Sequence, residues 1–157
     1  MKIIFLDIDG VLNTPNYAVQ AHATWKRTNG RFKSRDQYGD IFDPLACACL
    51  EYMVDITGAK VVISSAWRKS GLQVMKSMFK DRGIDIDVID ITPEFEFIRG
   101  DEIEAWLAEN DYVTNYVILD DDCDFTPDQL DSHYVDCSGK YGFDHNAMVK
   151  AIKILCK

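Results

Sequence analysis

Residues 5–12 read FLDIDGVL, and the expected fold is worked out from this stretch. The apolar run over residues 3–6 is too short for a helix and consists of residue types that favour strands. The run stops at Asp7, and Asp9 with Gly10 begins a turn, because glycine reaches backbone angles that other residues avoid. This part of the chain is therefore predicted to be a buried strand whose carboxyl end carries two carboxylates.

Two more apolar runs are followed directly by polar residues. Residues 61–63 precede Ser64, and residues 116–119 precede Asp120. Shorter runs predict strands at residues 87–89 and 134–135, and apolar residues at helical spacing predict helices at residues 44–57, 71–82, 101–109 and 144–155. Strands that alternate with helices, and that are apolar throughout, are typical of a parallel sheet covered on both faces. We expect an α/β fold, a Rossmann-like three-layer sandwich with a mainly parallel central sheet.

The polar ends of these strands are predicted to meet. Ligands of open parallel sheets bind beyond the carboxyl ends of the strands, so Asp7, Ser64 and Asp120 would face one crevice. Carboxylates from two strands repel each other unless a cation neutralises them, and Mg²⁺ prefers oxygen ligands. Such a set suits phosphoryl transfer, because an aspartate can act as a covalent nucleophile and a second carboxylate can move the protons.

Four stretches resemble the motifs of the haloacid dehalogenase (HAD) superfamily. Residues 5–12 resemble the first motif, residues 62–68 (VISSAWR) the second, residues 99–103 (RGDEI) the third and residues 117–121 (VILDD) the fourth. The resemblance covers nearly the whole chain, in the right order and with fitting spacing. It implies a HAD-like fold and a Mg²⁺-dependent phosphatase that hydrolyses a phosphomonoester through an aspartyl-phosphate. The second and third motifs also resemble the small HAD domains of RNA-repair-like proteins.

The resemblance implies a role for each motif residue. Asp7 would attack phosphorus and also bind the metal. Asp9 would bind the metal through its backbone carbonyl and act as general acid and base. Ser64 would hydrogen-bond the transferring phosphoryl group, and Arg99 would balance the charge of the phospho-aspartate. Asp121 would be the main acidic metal ligand, with Asp120 alongside.

Some of these assignments stay open. The third-motif residue could be Lys60 or Lys69 in place of Arg99. The acidic run over residues 120–124 also contains Asp122 and Asp124, so the carboxylates that bind the metal are not settled by the motif. Residues beside the motifs are predicted to contact the substrate, namely Gly10, Ser65 and Arg68.

Residues 13–42 differ from the rest of the chain. They are polar and basic, show no sustained period, and are predicted to form a long loop or flap with a hairpin or short helix, an insertion too small for a large cap. Basic residues cluster between Lys26 and Arg35, and Trp25, Phe32 and Tyr38 lie near them. A solvated flap is the simpler interpretation. The functional alternative is that this segment grips a nucleotide or a nucleic-acid end, since aromatic rings can stack on bases.

Composition indicates a single globular domain and argues against several other classes of protein. The chain has 157 residues and a formal net charge of −9, which fits a single domain and argues against generic nucleic-acid binding. Its five cysteines are scattered, without zinc spacing, and are predicted to be free thiols. No apolar run could span a membrane, and residues 1–6 do not continue as a signal peptide, so we expect a cytoplasmic protein.

Three alternatives to a phosphatase are considered, and none of them hydrolyses a phosphomonoester. Asp120, Asp122, Asp124 and Asp131 match four positions of a calcium-loop template, but Phe125 replaces the required glycine. A receiver-like phospho-acceptor module would have a lysine at its last strand, and none directly follows residues 134–135. A HAD-like scaffold that has lost activity and serves only in binding is disfavoured by the intact Asp7, Asp9 and Asp121. Oligomeric state and substrate identity are not determined by the sequence.

Overall fold

The protein is described by a computed structural model that covers residues 1–95, 98–137 and 140–157. The strands are β1 (Lys2–Leu6), β2 (Arg35–Asp36), β3 (Gly39–Asp40), β4 (Lys60–Ile63), β5 (Val88–Ile91), β6 (Asn115–Asp120) and β7 (Tyr134–Asp136). The α-helices are α1 (Pro15–Arg27), α2 (Pro44–Thr57), α3 (Leu72–Asp81), α4 (Arg99–Glu109), α5 (Pro127–Ser132) and α6 (His145–Leu155), and a 3₁₀ helix covers Ala66–Ser70. No helix in the described ranges is both long and apolar enough to cross a membrane.

The central sheet has five strands in the order β5-β4-β1-β6-β7, and every neighbouring pair is parallel. Strand β1 lies in the middle, where both of its faces are buried. Ile4 and Leu6 point into one hydrophobic cluster, and Ile3 and Phe5 point into the other. This accounts for the continuous apolar run in the sequence, because a strand covered on both sides has no polar face.

Helices cover both faces of the sheet. Helices α2, α3 and α6 contribute Leu50, Phe79 and Ala151 to the larger cluster. Helix α4 packs on the other face, where the ring of Trp106 meets that of Phe5 edge-on at 5.4 Å between centroids. The predicted three-layer α/β fold with a parallel sheet is confirmed. The order β4-β1-β6 matters most for the crevice, because it places the three predicted strand ends side by side.

The segment over residues 13–42 is more ordered than the predicted loop. It contains the 13-residue helix α1 and the two-strand hairpin β2–β3. Thr14 caps the helix by accepting a hydrogen bond from the backbone N–H of Tyr17 at 3.1 Å. The sequence pattern is weak here because the helix buries only Ala21. A helix with one buried residue has no apolar stripe from which periodicity could reveal it.

The hairpin makes polar contacts with the C-terminal end of helix α3 and with Arg82, which follows it. The guanidinium of Arg82 donates to both carboxylate oxygens of Asp36, at 2.8 and 2.9 Å, and to the backbone oxygen of Asp40 at 3.1 Å. The hydroxyl of Tyr38 donates to Asp81 at 2.6 Å. These contacts join residues more than 40 positions apart, and no local pattern could reveal them.

Candidate active site

The carboxyl ends of β1, β4 and β6 form a crevice at one edge of the sheet. The backbone N–H of Asp7 donates to the oxygen of Leu119 at 2.9 Å, and that of Ser64 donates to the oxygen of Leu6 at 3.0 Å. The three strand ends are therefore in register with each other. A cavity of about 410 Å³ opens there, and its lining includes Asp7, Asp9, Gly10, Arg99, Asp120 and Asp121.

Three carboxylates crowd this cavity. Oxygens of Asp7, Asp120 and Asp121 lie within 4.8 Å of one another. Asp120 is fully buried and Asp7 is 6% exposed, whereas Asp121 is exposed. Burial, and then the charge of Asp7, raises the pKa of Asp120 to about 7. Burial also raises the pKa values of Asp7 and Asp121. These three carboxylates are close enough together to hold a hard cation.

Arg99 is the cation that contacts this cluster. Its Nη1 lies 3.1 Å from Oδ1 of Asp7 and also pairs with Oδ2 of Asp120. Burial lowers the pKa of Arg99, but the charges of Asp120 and Asp7 outweigh that effect and raise it. Arg99 opens helix α4, where the helix dipole disfavours a positive charge. The two aspartates account for its position there.

The two competing lysines lie elsewhere. Lys60 stands at the opposite end of β4 and pairs with Asp87 at 2.8 Å, and Lys69 pairs with Glu94 at 2.6 Å. Of the three basic residues that the sequence left open, Arg99 is the one that the fold brings to Asp7. The geometry therefore favours Arg99 as the third-motif residue.

The carboxylate of Asp9 accepts hydrogen bonds from two side chains that were not predicted to contact it. The indole N–H of Trp67 donates to its Oδ2 at 2.8 Å, and the amide of Asn13 donates to its Oδ1 at 3.0 Å. The carboxylate of Asp9 consequently lies outside the group of three that could hold a metal. Gly10 follows with φ of 79°, and a Cβ there would overlap the carboxylate of Asp121. The backbone at Gly10 therefore lies so close to the side chain of Asp121 that only glycine fits there.

The two serines after β4 are placed differently from the prediction. Ser65 hydrogen-bonds the carboxylate of Asp7 and lowers its pKa in opposition to burial, and its Oγ accepts from the N–H of Trp67 at 3.4 Å. Ser64 is fully buried, and its Oγ has no hydrogen-bond partner within the described chain. The hydroxyl beside Asp7 is therefore that of Ser65, whereas the sequence assigned the phosphoryl contact to Ser64.

Arg68 requires a correction. Its Nη2 donates to both oxygens of Glu102 at 2.7 Å, and its Nη1 donates to the backbone oxygens of Ser64 and Ser65. The side chain is buried and its charge is paired. The predicted substrate contact has no geometric support, because this guanidinium ties the Ser64–Ser65 turn to helix α4.

The aspartates of residues 120–124, at the end of β6 and just after it, make different contacts. Oδ1 of Asp120 accepts from the N–H of Asp122 at 2.9 Å, which tightens the turn. Asp124 accepts from the backbone N–H groups of Arg99 and Gly100 at the start of α4, at 3.3 and 3.0 Å. The carboxylates that converge thus come from two strands, and the calcium-loop template does not describe them.

The chain matches a known protein family. The model of a family described as the HAD domain in Swiss Army Knife RNA repair proteins matches residues 3–148. That range contains all four stretches that carry the motifs, and it spans nearly the whole chain. Comparisons with curated proteins and with solved structures gave no match.

Proposed function

The chain belongs to the family of HAD domains in Swiss Army Knife RNA repair proteins, and from this premise we propose that it is a Mg²⁺-dependent phosphatase. In this proposal the chain is one HAD-like domain that hydrolyses a phosphomonoester through an aspartyl-phosphate on Asp7. One observation carries it. Asp7 lies buried at the end of the central strand, between a cationic side chain and two further carboxylates. Such a setting suits a nucleophile that attacks an anionic group.

The carboxylate cluster fits a magnesium ion. Asp7, Asp120 and Asp121 offer hard oxygen ligands close together, and burial is the largest cause of the raised pKa of each. A cation bound there would favour the ionised form of all three carboxylates. We propose these three as metal ligands, with the backbone carbonyl of Asp9 as a fourth. A bound Mg²⁺ would neutralise part of the charge on the phosphoryl group and on its ligands.

The proposed reaction has two steps. A carboxylate oxygen of Asp7 attacks phosphorus, the bond from phosphorus to the leaving oxygen breaks, and Asp9 donates a proton to that oxygen. A water molecule then attacks phosphorus of the aspartyl-phosphate, Asp9 takes its proton, and the Asp7 carboxylate leaves with the bonding electron pair. Trp67 and Asn13 support this role of Asp9, because they fix both of its carboxylate oxygens.

Two other groups support the transferring phosphoryl group. Arg99 contacts Asp7 directly and would keep the charge balanced when Asp7 becomes phosphorylated. The hydroxyl of Ser65 already hydrogen-bonds Asp7, so we propose Ser65, ahead of Ser64, as the donor to a phosphoryl oxygen. Gly10 would allow the substrate to approach the backbone closely.

The substrate that we propose is a phosphorylated nucleotide or a nucleic-acid end. The family description refers to RNA repair. The segment over residues 13–42 would act as a small cap beside the crevice, which leaves room for a bulky substrate. The reducing cytoplasm fits the free cysteines.

The test is phosphate release with and without magnesium. Wild type, Asp7→Asn and an EDTA-treated sample would be compared on an aryl phosphate, on mononucleotides and on oligonucleotides with 5′- or 3′-phosphates. We expect turnover that requires Mg²⁺ and that falls by at least about 10³-fold in Asp7→Asn.

Two results would contradict the proposal. Turnover that survives in Asp7→Asn would remove Asp7 as the nucleophile. A folded protein that binds Mg²⁺ and releases no phosphate from any of these substrates would favour the non-catalytic alternatives, a metal-binding or receiver-like module. A stable phosphoryl group on Asp7 after treatment with acetyl phosphate would then distinguish the receiver-like module from the metal-binding one.

A further inference from the structure

Helix α1 carries an exposed aromatic pair away from the acidic crevice. The rings of His22 and Trp25 are stacked, with 5.7 Å between centroids and 24° between planes. Trp25 nevertheless remains 42% exposed. A large ring that faces water on a helix with one buried residue is not there for the core. It is available for contact with something else.

The aromatic pair borders a basic cavity. His22, Trp25, Lys33, Ser34 and Arg35 line a space of about 370 Å³, which we call the Trp25 pocket. Residues 10–35 contain five basic side chains and no acidic one, although the whole chain has a net charge of −9. Arg35 pairs with Asp40 at 3.2 Å, but both side chains are at least half exposed, so that pair is weak and can be exchanged for another anion.

The Trp25 pocket and the acidic crevice both border helix α1, and their lining residues on it share one face. Ala18 lines the crevice, and His22 and Trp25 follow it at intervals of four and three residues. This spacing puts the three residues on the same side of the helix. A rise of 1.5 Å per residue places Trp25 about 10 Å from Ala18 along the axis. A chain that leaves the crevice along α1 would reach the pocket.

We propose that the Trp25 pocket binds a nucleotide of a single-stranded nucleic-acid substrate whose terminal phosphate lies in the crevice. The base would stack on Trp25, and Lys33 and Arg35 would contact a backbone phosphate. Aromatic stacking beside a basic groove is how proteins hold single strands without reading their sequence. This inference rests on the proposed function for the reaction itself, and it adds the binding site that makes a strand a better substrate than a mononucleotide.

The experiment compares two substrates in the same variants. Wild type, Trp25→Ala and Lys33→Ala/Arg35→Ala would be assayed on an aryl phosphate and on a phosphorylated single-stranded eight-nucleotide oligomer, as RNA and as DNA. The controls are Tyr52→Ala, an exposed aromatic side chain on α2, and Lys153→Ala, an exposed cation on α6. We expect kcat/KM on the oligomer to fall by about 5- to 100-fold in Trp25→Ala, while the aryl phosphate and both controls stay unchanged.

Binding is measured separately, so that this inference does not depend on turnover. Asp7→Asn protein would be titrated into a fluorescently labelled oligomer at several salt concentrations. We expect weaker binding when Trp25→Ala is added. In Lys33→Ala/Arg35→Ala we expect the slope of log affinity against log salt to fall by about 0.7 for each phosphate of the single strand that the protein no longer neutralises. A difference in affinity between the RNA and the DNA oligomer would identify the preferred type of nucleic acid.

The two failures are distinguishable. If no variant releases phosphate but the oligomer binds through Trp25, the proposed reaction is wrong and the pocket stands. If phosphate is released and the pocket variants match wild type in both affinity and kcat/KM on the oligomer, the pocket is wrong and the reaction stands. A parallel loss on the aryl phosphate would also overturn the pocket, because it would indicate damage to the crevice.

Discussion

Two arginines that the sequence assigned to the candidate site, Arg99 to the phospho-aspartate and Arg68 to the substrate, have opposite surroundings. Arg68 meets one carboxylate, Glu102, through two bonds of 2.7 Å, and its side chain is 8% exposed. Arg99 meets two carboxylates, Asp7 and Asp120, and its side chain is 23% exposed at the edge of a cavity. Helix α4 contributes to both pairs, since Arg99 and Glu102 are three residues apart on it.

The difference lies in charge balance. At the Arg68 pair one positive charge meets one negative charge, and the carbonyls of Ser64 and Ser65 accept from the same guanidinium. At Arg99 one positive charge faces the carboxylate cluster, and the pKa of Asp120 rises to about 7 as a result of burial and of the charge of Asp7. A balanced buried pair stabilises one arrangement, whereas an unbalanced cluster beside a cavity can bind a cation and an anionic substrate.

The largest effect is expected when the balanced ion pair of Arg68 and Glu102 is broken. Arg68→Met should lower the free energy of unfolding by about 3–5 kcal/mol, because it leaves the carboxylate of Glu102 buried and unpaired. The measurement is urea denaturation monitored by circular dichroism. The double variant Arg68→Met/Glu102→Leu should recover much of the loss. A single variant as stable as wild type would contradict the structural role of this pair.

The next largest effect is expected at the unbalanced cluster. Arg99→Met should lower kcat by about 10²–10³-fold, the usual result of removing a group that stabilises developing charge. Arg99→Lys, which keeps the charge, should lose less. Steady-state kinetics on an aryl phosphate, with circular dichroism to confirm folding, would measure this. A wild-type kcat in Arg99→Met would show that charge balance at Asp7 comes from elsewhere.

The pH dependence of stability sharpens the comparison further. Asp120 has a pKa of about 7 in the folded chain and an ordinary value of 3.8 when unfolded, so the folded state holds its proton more tightly. The metal-free protein should therefore lose stability as the pH rises from about 4 to about 7. Thermal unfolding in EDTA would measure this trend. Over the same range the stabilisation by Mg²⁺ should grow, since the ion needs ionised ligands.

Asp120→Asn is the control for this trend. It should flatten the metal-free pH dependence, because the asparagine cannot titrate. If wild type and Asp120→Asn had the same slope over that range, the buried carboxyl would not be its source.

The smallest expected effect concerns the orientation of Asp9. Trp67→Phe removes the indole N–H that donates to Oδ2 of Asp9 and keeps an aromatic ring against Phe42. We expect kcat to fall about tenfold with KM unchanged, since a hydrogen bond to a charged group is worth about 1.5–3 kcal/mol. Trp106→Phe is the matched control, because its indole bonds to Asp90 instead. Equal effects of the two substitutions on kcat would rule out a specific role for Trp67.

The sequence predicted a candidate site at the strand ends but not the contacts between its side chains. Short apolar runs that end in Asp7, Ser64 and Asp120 were enough to predict one crevice, because parallel strands share a direction. The same reasoning assigned the phosphoryl contact to Ser64, whereas Ser65 is the serine that hydrogen-bonds Asp7, because a difference of one residue at a strand end sets which hydroxyl faces Asp7. Asn13 offered one local signal, its position four residues after Asp9 within the turn.

The α/β architecture and the family could be predicted from the chain, because alternating strands and helices and the four motifs are local features of the sequence. The contacts between the predicted groups became visible in the folded structure alone. Arg99 reaches Asp7 while Arg68 turns to Glu102, and Trp67 reaches Asp9 from 58 positions away. The physical reason is that strand periodicity reports local burial, whereas ion pairs and hydrogen bonds depend on distances between segments that the fold brings together.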